Sequence, residues 1–367
     1  MVVKGVARGR VTAGTIAGFV LRIARESTSV GTQAGMAETM RVDLATWQGW
    51  ETGRRPLANV KAGTLLHVRR RLLALGADPH VLDLLDPAMD ADRVITATID
   101  PDANDLHPLA SWVHTRDTAH MIAWALNGTV PPALAHTGGT GRRGPVAKAP
   151  ILSVPDRGMF FAYLRETAES ALRAGDDGLL LYRQALYLCS YDRGPEATSW
   201  MVHALHGRRH LISASGWTPH WATARSTAAA LARLGDRQPL LDFIDRGLAG
   251  DDSAEIANLN YWAYWLGSTR EPQADDGFMR HGLTTTEPVR LFRGLATGLQ
   301  QAPAYRDLYV HSLWALLITN RWLPLADPVL ADRLAVHTAR LLDHEGISPR
   351  ARRELSAVHY VLRGHRT

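Results

Sequence analysis

The sequence has one cysteine among 367 residues and no long apolar run. Cys189 alone excludes an intramolecular disulfide and a cysteine-based metal cluster, and it is typical of a reducing cytoplasm. No apolar stretch approaches the ~18 residues of a membrane-spanning helix, so we expect no membrane partner. An apolar run near the N-terminus ends at Arg22 and Arg25 without a cleavage site, and we interpret it as a folded helix rather than a signal peptide.

Motifs of catalysis and cofactor binding are also scarce. There is no Gly-x-Ser-x-Gly, P-loop or His-Glu-x-x-His motif. The stretch GTGRRG at 139–144 has the spacing of a nucleotide-binding loop, but its flanks favour a flexible linker over the required strand and helix. His203, His206 and His210 share a helical face without an obvious carboxylate partner, which favours a polar face or pocket wall over a metal site. We therefore predict no enzyme activity, cofactor or metal.

Apolar residues recur at helical spacing along nearly the whole chain, and the alternating pattern of strands is scarce. The N-terminal helices are predicted over 13–27, 32–39, 43–52, 58–75, 79–86 and 108–127. From 156 to 363 the chain reads as helices of ~12–20 residues separated by Gly- and Pro-rich breaks. The predicted fold class is all-α, with the C-terminal part a helical bundle or an α-solenoid like that of tetratricopeptide repeats.

Breaks in this pattern predict three regions. Residues 1–90 hold the N-terminal helices, 91–155 form a connector with one helix and a Gly- and Pro-rich linker, and 156–367 form a helical domain. The positive charge belongs to the first region: residues 1–85 carry twelve Lys and Arg against six Asp and Glu, whereas the whole chain has a net charge of only +5. A basic excess confined to one end indicates a polyanion as partner.

Residues 32–52 are predicted to form two short helices joined by a tight turn. Asp43 is a suitable N-cap for the second helix, because its carboxylate can accept backbone N–H bonds. Leu44, Trp47 and Trp50 recur every three residues in that helix, and we predict that this stripe faces the core. The other side of the helix would then face outward.

This segment resembles the helix-turn-helix of the Cro-like, or xenobiotic-response-element, family of phage-type repressors. The matches to the family pattern run without a gap and are Thr32, Gln33, Ala37, Glu38, Val42, Thr46, Trp50, Glu51, Gly53, Arg54, Arg55 and Pro56. Residues 18–27 resemble the family's first helix, and residues 65–85 resemble its fourth and fifth. The resemblance covers residues 13–86 and implies a five-helix DNA-binding domain whose third helix enters the major groove.

The resemblance also implies contacts with DNA. Gln33 would contact a phosphate, and Thr52, Arg54 and Arg55 would hold the backbone beyond the second helix of the motif. Base contacts in the family come from four positions of that helix, occupied here by Leu44, Ala45, Gln48 and Gly49. Of these, only Gln48 is a good hydrogen-bond reader, with adenine as its natural partner, while Leu44 and Ala45 suit thymine methyl groups. Recognition of the DNA sequence could also depend on DNA shape or on contacts from residues 1–10.

Arg41 occupies the turn position at which the family usually has glycine. Either the turn is built differently, or the arginine is retained for a phosphate. The full predicted DNA-binding set is Gln33, Arg41, Asp43, Leu44, Ala45, Thr46, Gln48, Gly49, Thr52, Arg54 and Arg55.

The C-terminal region offers one candidate effector site. Asn258, Tyr261 and Trp265 share one side of a predicted helix, and a similar aromatic stretch carries Trp314. Such residues can clamp a peptide or a flat ligand, although a bulky core helix has the same composition.

These patterns together predict a cytoplasmic, nucleoid-associated regulator of transcription that binds double-stranded DNA as a homodimer. The C-terminal domain would sense a peptide, a small molecule or a protein. The alternative is a helical interaction scaffold that does not bind DNA, and the salt dependence of binding separates the two.

Overall fold

The computed structural model describes residues 13–100, 106–135, 147, 149–269, 272–280, 287–343 and 346–364. Within these ranges the chain is helical and contains no β-strand, which confirms the predicted all-α class. No described helix is long and apolar enough to cross a membrane. Residues 1–10 and the GTGRRG stretch at 139–144, both singled out in the sequence, lie outside the described residues.

The chain divides into two compact units, Met1–Ala174 and Gly175–Thr367. The helices of the first unit are α1 (Thr15–Glu26), α2 (Gln33–Met40), α3 (Leu44–Glu51), α4 (Ala62–Ala74), α5 (Pro79–Leu82), α6 (Leu85–Ile99), α7 (Pro108–Ser111), α8 (Arg116–Asn127) and α9 (Val154–Arg173), with short 3-10 turns at Leu57–Asn59 and Pro132–Leu134.

Helix α6 is the centre of the first unit, because it packs against α1, α8 and α9. Its buried Asp92 accepts hydrogen bonds from the backbone N–H groups of Ile16 (3.0 Å) and Ala17 (2.9 Å), and thereby caps the first turn of α1. Burial raises the pKa of Asp92 to about 7, against the effect of these two bonds. Phe19 of α1 meets Trp124 of α8 edge to face, with ring centroids 4.9 Å apart.

The first unit differs from the sequence prediction in two helices. Helix α6 occupies 85–99, part of which we predicted as connector. The predicted helix over 108–127 is wrong as a single helix: it breaks after α7, where Trp112 is extended, and Thr115 caps α8 by accepting from the N–H of Thr118 (3.1 Å). The predicted borders after residues 90 and 155 also differ from the division after Ala174, because α6, α8 and α9 pack within the first unit.

The helices of the second unit are α10 (Leu179–Cys189), α11 (Ala197–His206), α12 (Trp221–Arg233), α13 (Gln238–Phe243), α14 (Asp252–Trp265), α15 (Pro288–Gln301), α16 (Arg306–Thr319), α17 (Leu323–Ala326), α18 (Pro328–Leu342) and α19 (Pro349–Gly364). A π-helical turn at Ile244–Leu248 extends α13, and 3-10 turns lie at Gly175–Gly178, Arg209–Ser213, Asp276–Met279 and Pro303–Tyr305.

Helix α16 packs against α14, α15 and α19, and it carries a fully buried histidine. His311 Nδ1 lies 3.0 Å from Glu354 Oε1 of α19, and its Nε2 lies 3.0 Å from Glu255 Oε1 of α14. Burial alone would lower the pKa of His311, but its hydrogen bonds to Glu255 and Glu354 raise it to about 9. The protonated ring of His311 therefore hydrogen-bonds one carboxylate at each nitrogen, and it joins α14, α16 and α19.

This arrangement predicts a specific pH dependence of the second unit. Because the folded pKa of His311 lies above the ordinary 6.5, its contribution to stability is complete below pH 6.5 and is lost as the pH rises through 9. We expect His311→Gln to lower the free energy of unfolding most at acidic pH, with the difference from the wild type narrowing toward pH 9. Denaturant unfolding at a series of pH values measures this. The control is His210→Gln, at an exposed position; parallel profiles for the wild type and His311→Gln would contradict the assignment.

Candidate functional site

Helices α2 and α3 form a compact pair joined by residues 41–43. Thr32 caps α2 by accepting from the N–H of Gly35 (3.2 Å). The turn is closed by the N–H of Val42, which donates to the carbonyl of Ala37 (3.0 Å). Asp43 caps α3, as the sequence predicts, by accepting from the N–H of Thr46 (2.6 Å).

Arg41 adopts the left-handed conformation, with φ 55° and ψ 43°, and it is the only non-glycine residue with positive φ among the described residues. The turn thus has the conformation that glycine favours, although the side chain is large. A non-glycine residue in this conformation costs roughly 1–2 kcal/mol. The side chain is exposed, so nothing in the described core offsets that strain.

The inner face of α3 is formed by Trp47 and Trp50, which are buried and meet edge to face with centroids 5.7 Å apart. Leu44 is 41% exposed, so the prediction that it belongs to the core stripe is wrong. A step of three residues turns the helix by 300°, and Leu44 and Trp50 are therefore about 120° apart around the axis. The core-facing stripe is narrower than the spacing implied.

A buried carboxylate fixes α3 to its neighbours. Glu51, at the end of α3, bonds Arg25 of α1 through both oxygens, at 2.5 Å to Nε and 3.1 Å to Nη2. It also accepts from Trp47 Nε1 (2.6 Å) and from Gln33 Nε2 of α2 (2.6 Å). Arg25 donates further to the carbonyl of Gly31 before α2. All three helices therefore meet at one ion pair.

Two glycines let α1 approach the end of α3 closely. A Cβ added at Gly18 would lie 2.4 Å from the carbonyl oxygen of Trp50. Gly53 has φ +74°, and a Cβ there would lie 2.5 Å from the backbone of Gly14 and Thr15. Any side chain at either position would push α1 away from α3 and open the Arg25–Glu51 pair.

The outer surface of the pair carries most of the predicted DNA-binding residues. The exposed members are Arg41, Asp43, Leu44, Ala45, Thr52, Arg54 and Arg55, and the half-buried members are Gln33, Thr46 and Gln48. Gly49 is buried, and a Cβ there would lie 3.0 Å from Cδ of Arg55, whose side chain folds back over it. The structure therefore does not place Gly49 at the surface where the sequence predicts it.

Five of these side chains hydrogen-bond one another or Glu51. Gln33 bonds Glu51, and Gln48 Nε2 lies 3.4 Å from Gln33 Oε1. Arg55 donates to Thr46 Oγ1, and Thr46 in turn donates to Asp43 Oδ2 (2.8 Å). The hydrogen bonds from Thr46, with the charge of Arg55, hold the pKa of Asp43 below its ordinary value.

The four predicted effector residues do not all lie at one site of the second unit. Tyr261 and Trp265 line a cavity of about 170 Å³. Asn258 is fully buried, where it accepts from Arg225 Nε (3.2 Å) and donates to Ser312 Oγ (2.9 Å). Trp314 is not among the residues that line this cavity; it packs against the His311 ring. His203, His206 and His210 are exposed.

The sequence alone does not predict the buried Arg25–Glu51 ion pair or the presence of Arg225 at the cavity. Glu51 belongs to the matched family pattern, but neither its partner Arg25 nor the close approach at Gly18 follows from helical periodicity. Arg225 lies in α12, and only the tertiary fold brings its side chain to Asn258, Tyr261 and Trp262 of α14.

Comparison of the chain with models of known protein families, with curated proteins and with solved structures gives no match.

The buried ion pair predicts how α3 responds to loss of its anchor. We expect Glu51→Ala to lower the free energy of unfolding by about 3–5 kcal/mol, because Arg25 is then left buried and uncompensated. The double variant Arg25→Met with Glu51→Leu removes both charges and should recover part of the loss. Thermal and denaturant unfolding measure both. A loss below ~1 kcal/mol for Glu51→Ala would contradict the anchoring role.

Proposed function

We propose that the chain is a DNA-binding regulator of transcription in which α3 enters the major groove. The observation that carries this proposal is the two-sided character of α3, whose indoles and Glu51 face the interior. On its other side Leu44 and Ala45 are exposed and Thr46 and Gln48 are half-buried, between Arg41 at one end and Arg54 and Arg55 at the other. A helix with one free face and cations at both ends suits a groove flanked by phosphates. The basic excess of residues 1–85 supports the same partner.

The N-terminus of α2 would contact a phosphate. The first backbone N–H groups of a helix have no partner within it and attract anions. Since the Gln33 amide is bonded to Glu51, we assign it to holding α2 against α3, with its remaining N–H free for the phosphate. The strained Arg41 would reach a second phosphate, which accounts for an arginine where glycine costs less.

Base reading would come from the first turns of α3. Leu44 and Ala45 are exposed and suit thymine methyl groups. Gln48 is half-buried beside Gln33, so its amide is oriented before DNA binds, and adenine is its natural partner. Because few polar side chains are placed to contact base edges, DNA shape would supply part of the sequence specificity.

The second unit would supply dimerisation and effector sensing. A symmetric dimer would present two copies of α3 to half-sites one or more helical turns apart. The resemblance to the Cro-like family and the solenoid geometry of the second unit both remain predictions of the sequence. If DNA binding is absent, the alternative is a helical interaction scaffold.

The proposal predicts binding that weakens steeply with salt. The logarithm of the association constant for a genomic DNA fragment should fall linearly with the logarithm of salt concentration, with a slope of about −0.9 per neutralised phosphate. Arg54→Ala should reduce the slope by about one and weaken all sequences alike. Arg54 is a cleaner choice than Arg55, which also bonds Thr46. Arg353→Ala, an exposed arginine of the second unit, is the matched control; a salt-independent association or equal loss in both variants would favour the scaffold.

The assignment of Gln48 predicts a change in sequence preference. We expect Gln48→Ala to relax discrimination at a single base pair by about 1–3 kcal/mol, because only one bidentate contact is lost. Selection of bound sequences from a random pool, carried out for the wild type and for Gln48→Ala, gives the preference at each position. Arg54→Ala in the same selection should leave the preferred sequence unchanged. An identical motif for Gln48→Ala would remove this residue from base reading.

A further inference from the structure

The cavity of about 170 Å³ in the second unit has aromatic walls. It is formed by side chains of α10, α12, α14 and α16 and of the 3-10 turn that precedes α16, and its aromatic lining residues are Tyr187, Tyr261, Trp262, Trp265, Tyr305 and Tyr309. Tyr261 and Trp265 are nearly parallel, with an interplanar angle of 18°, as are Trp262 and Tyr309 at 28°. The members of each pair are stacked on each other, with centroids 6.3 and 4.7 Å apart, so each pair forms one wall and not two opposite ones. An aromatic lining of this kind suits a planar ligand.

The charged residues that line the cavity are all arginines. They are Arg183, Arg225 and Arg233, and no Asp or Glu is among the described lining residues. Arg183 is paired with Asp276, and Arg233 is exposed and lies 3.3 Å from Ser190 Oγ. Arg225 has no carboxylate partner among the residues that the structure describes.

Arg225 is 3% exposed and lies within the aromatic walls. Its guanidinium carbon is 3.8 Å from the ring centroid of Tyr261 and 4.6 Å from that of Trp262. Nε donates to Asn258 Oδ1, but Nη2 is buried without a hydrogen-bond partner among the described residues. Burial lowers the pKa of Arg225 to about 10, which leaves the group cationic at neutral pH.

A buried cation with an unused N–H group is unfavourable unless a partner completes it. Stacking on aromatic faces relieves part of this cost but cannot use the N–H donor. An anionic acceptor placed in the cavity would satisfy both the charge and the donor. Carboxylates match the guanidinium fork geometrically and form its strongest hydrogen bonds.

We propose that this cavity binds a small aromatic carboxylate, with the carboxylate paired to the Arg225 guanidinium and the ring packed against the aromatic lining. A cavity of about 150 Å³ holds one benzene ring, so the volume fits a single ring with its carboxylate toward the arginine. That the ligand acts as the effector rests on the proposed function; that it binds here does not.

Isothermal titration of the full chain with benzoate and phenylacetate, and with their neutral amides, tests the proposal. We expect both carboxylates to bind and the amides to bind at least about tenfold more weakly. Arg225→Met should weaken benzoate binding about tenfold to a hundredfold, whereas Arg353→Met, at an exposed position of α19, should leave it unchanged.

A second variant separates loss of the site from loss of folding. Ala229→Leu adds volume at a half-buried lining position and keeps Arg225, so it should block binding while circular dichroism stays that of the wild type. Absence of binding by both carboxylates at millimolar concentration, equal affinity for the amides, or unchanged affinity in Arg225→Met would overturn the proposal. DNA binding is measured separately without ligand, so its failure is distinguishable from failure of the cavity.

Discussion

The geometry of the candidate interface depends on one buried ion pair, between Arg25 of α1 and Glu51 of α3. The pair is costly to desolvate, and it is retained in a first unit whose core is otherwise mostly apolar. Glu51 offsets that cost by accepting four hydrogen bonds from three helices. Because each bond has a fixed direction, the pair sets the rotation of α3 about its axis more tightly than apolar packing alone would.

That rotation decides which residues are free to meet a partner. With Trp47 and Glu51 turned inward, Leu44 and Ala45 are left on the outside. The left-handed conformation at Arg41 serves the same geometry, because it closes a three-residue turn between α2 and α3 that keeps both helices within reach of Glu51. Backbone strain and a buried charge pair thus contribute to the same result, which is a short helix held rigidly with a single exposed face.

The sequence predicts this region well where the signal is local and poorly where it depends on distant contacts. The cap at Asp43 and the burial of Trp47 and Trp50 follow from residue type and helical spacing. The burial of Gly49 does not, because it results from the Arg55 side chain folding back from beyond the helix. Tyr261 and Trp265 could be placed together by their spacing of four, whereas the arginine beside them comes from another helix, and no pattern within either helix reveals it.

Three buried ionised groups differ in how their charge is compensated, and the difference separates structural roles from binding roles. Glu51 is compensated by Arg25, and His311 by two carboxylates, so each is complete within the protein and joins helices. Among the described residues Arg225 has aromatic faces and one amide oxygen as partners but no carboxylate, and it lines a cavity with room for one. Since a buried charge is stable only when its partners are supplied, a carboxylate ligand is the partner that we propose for Arg225.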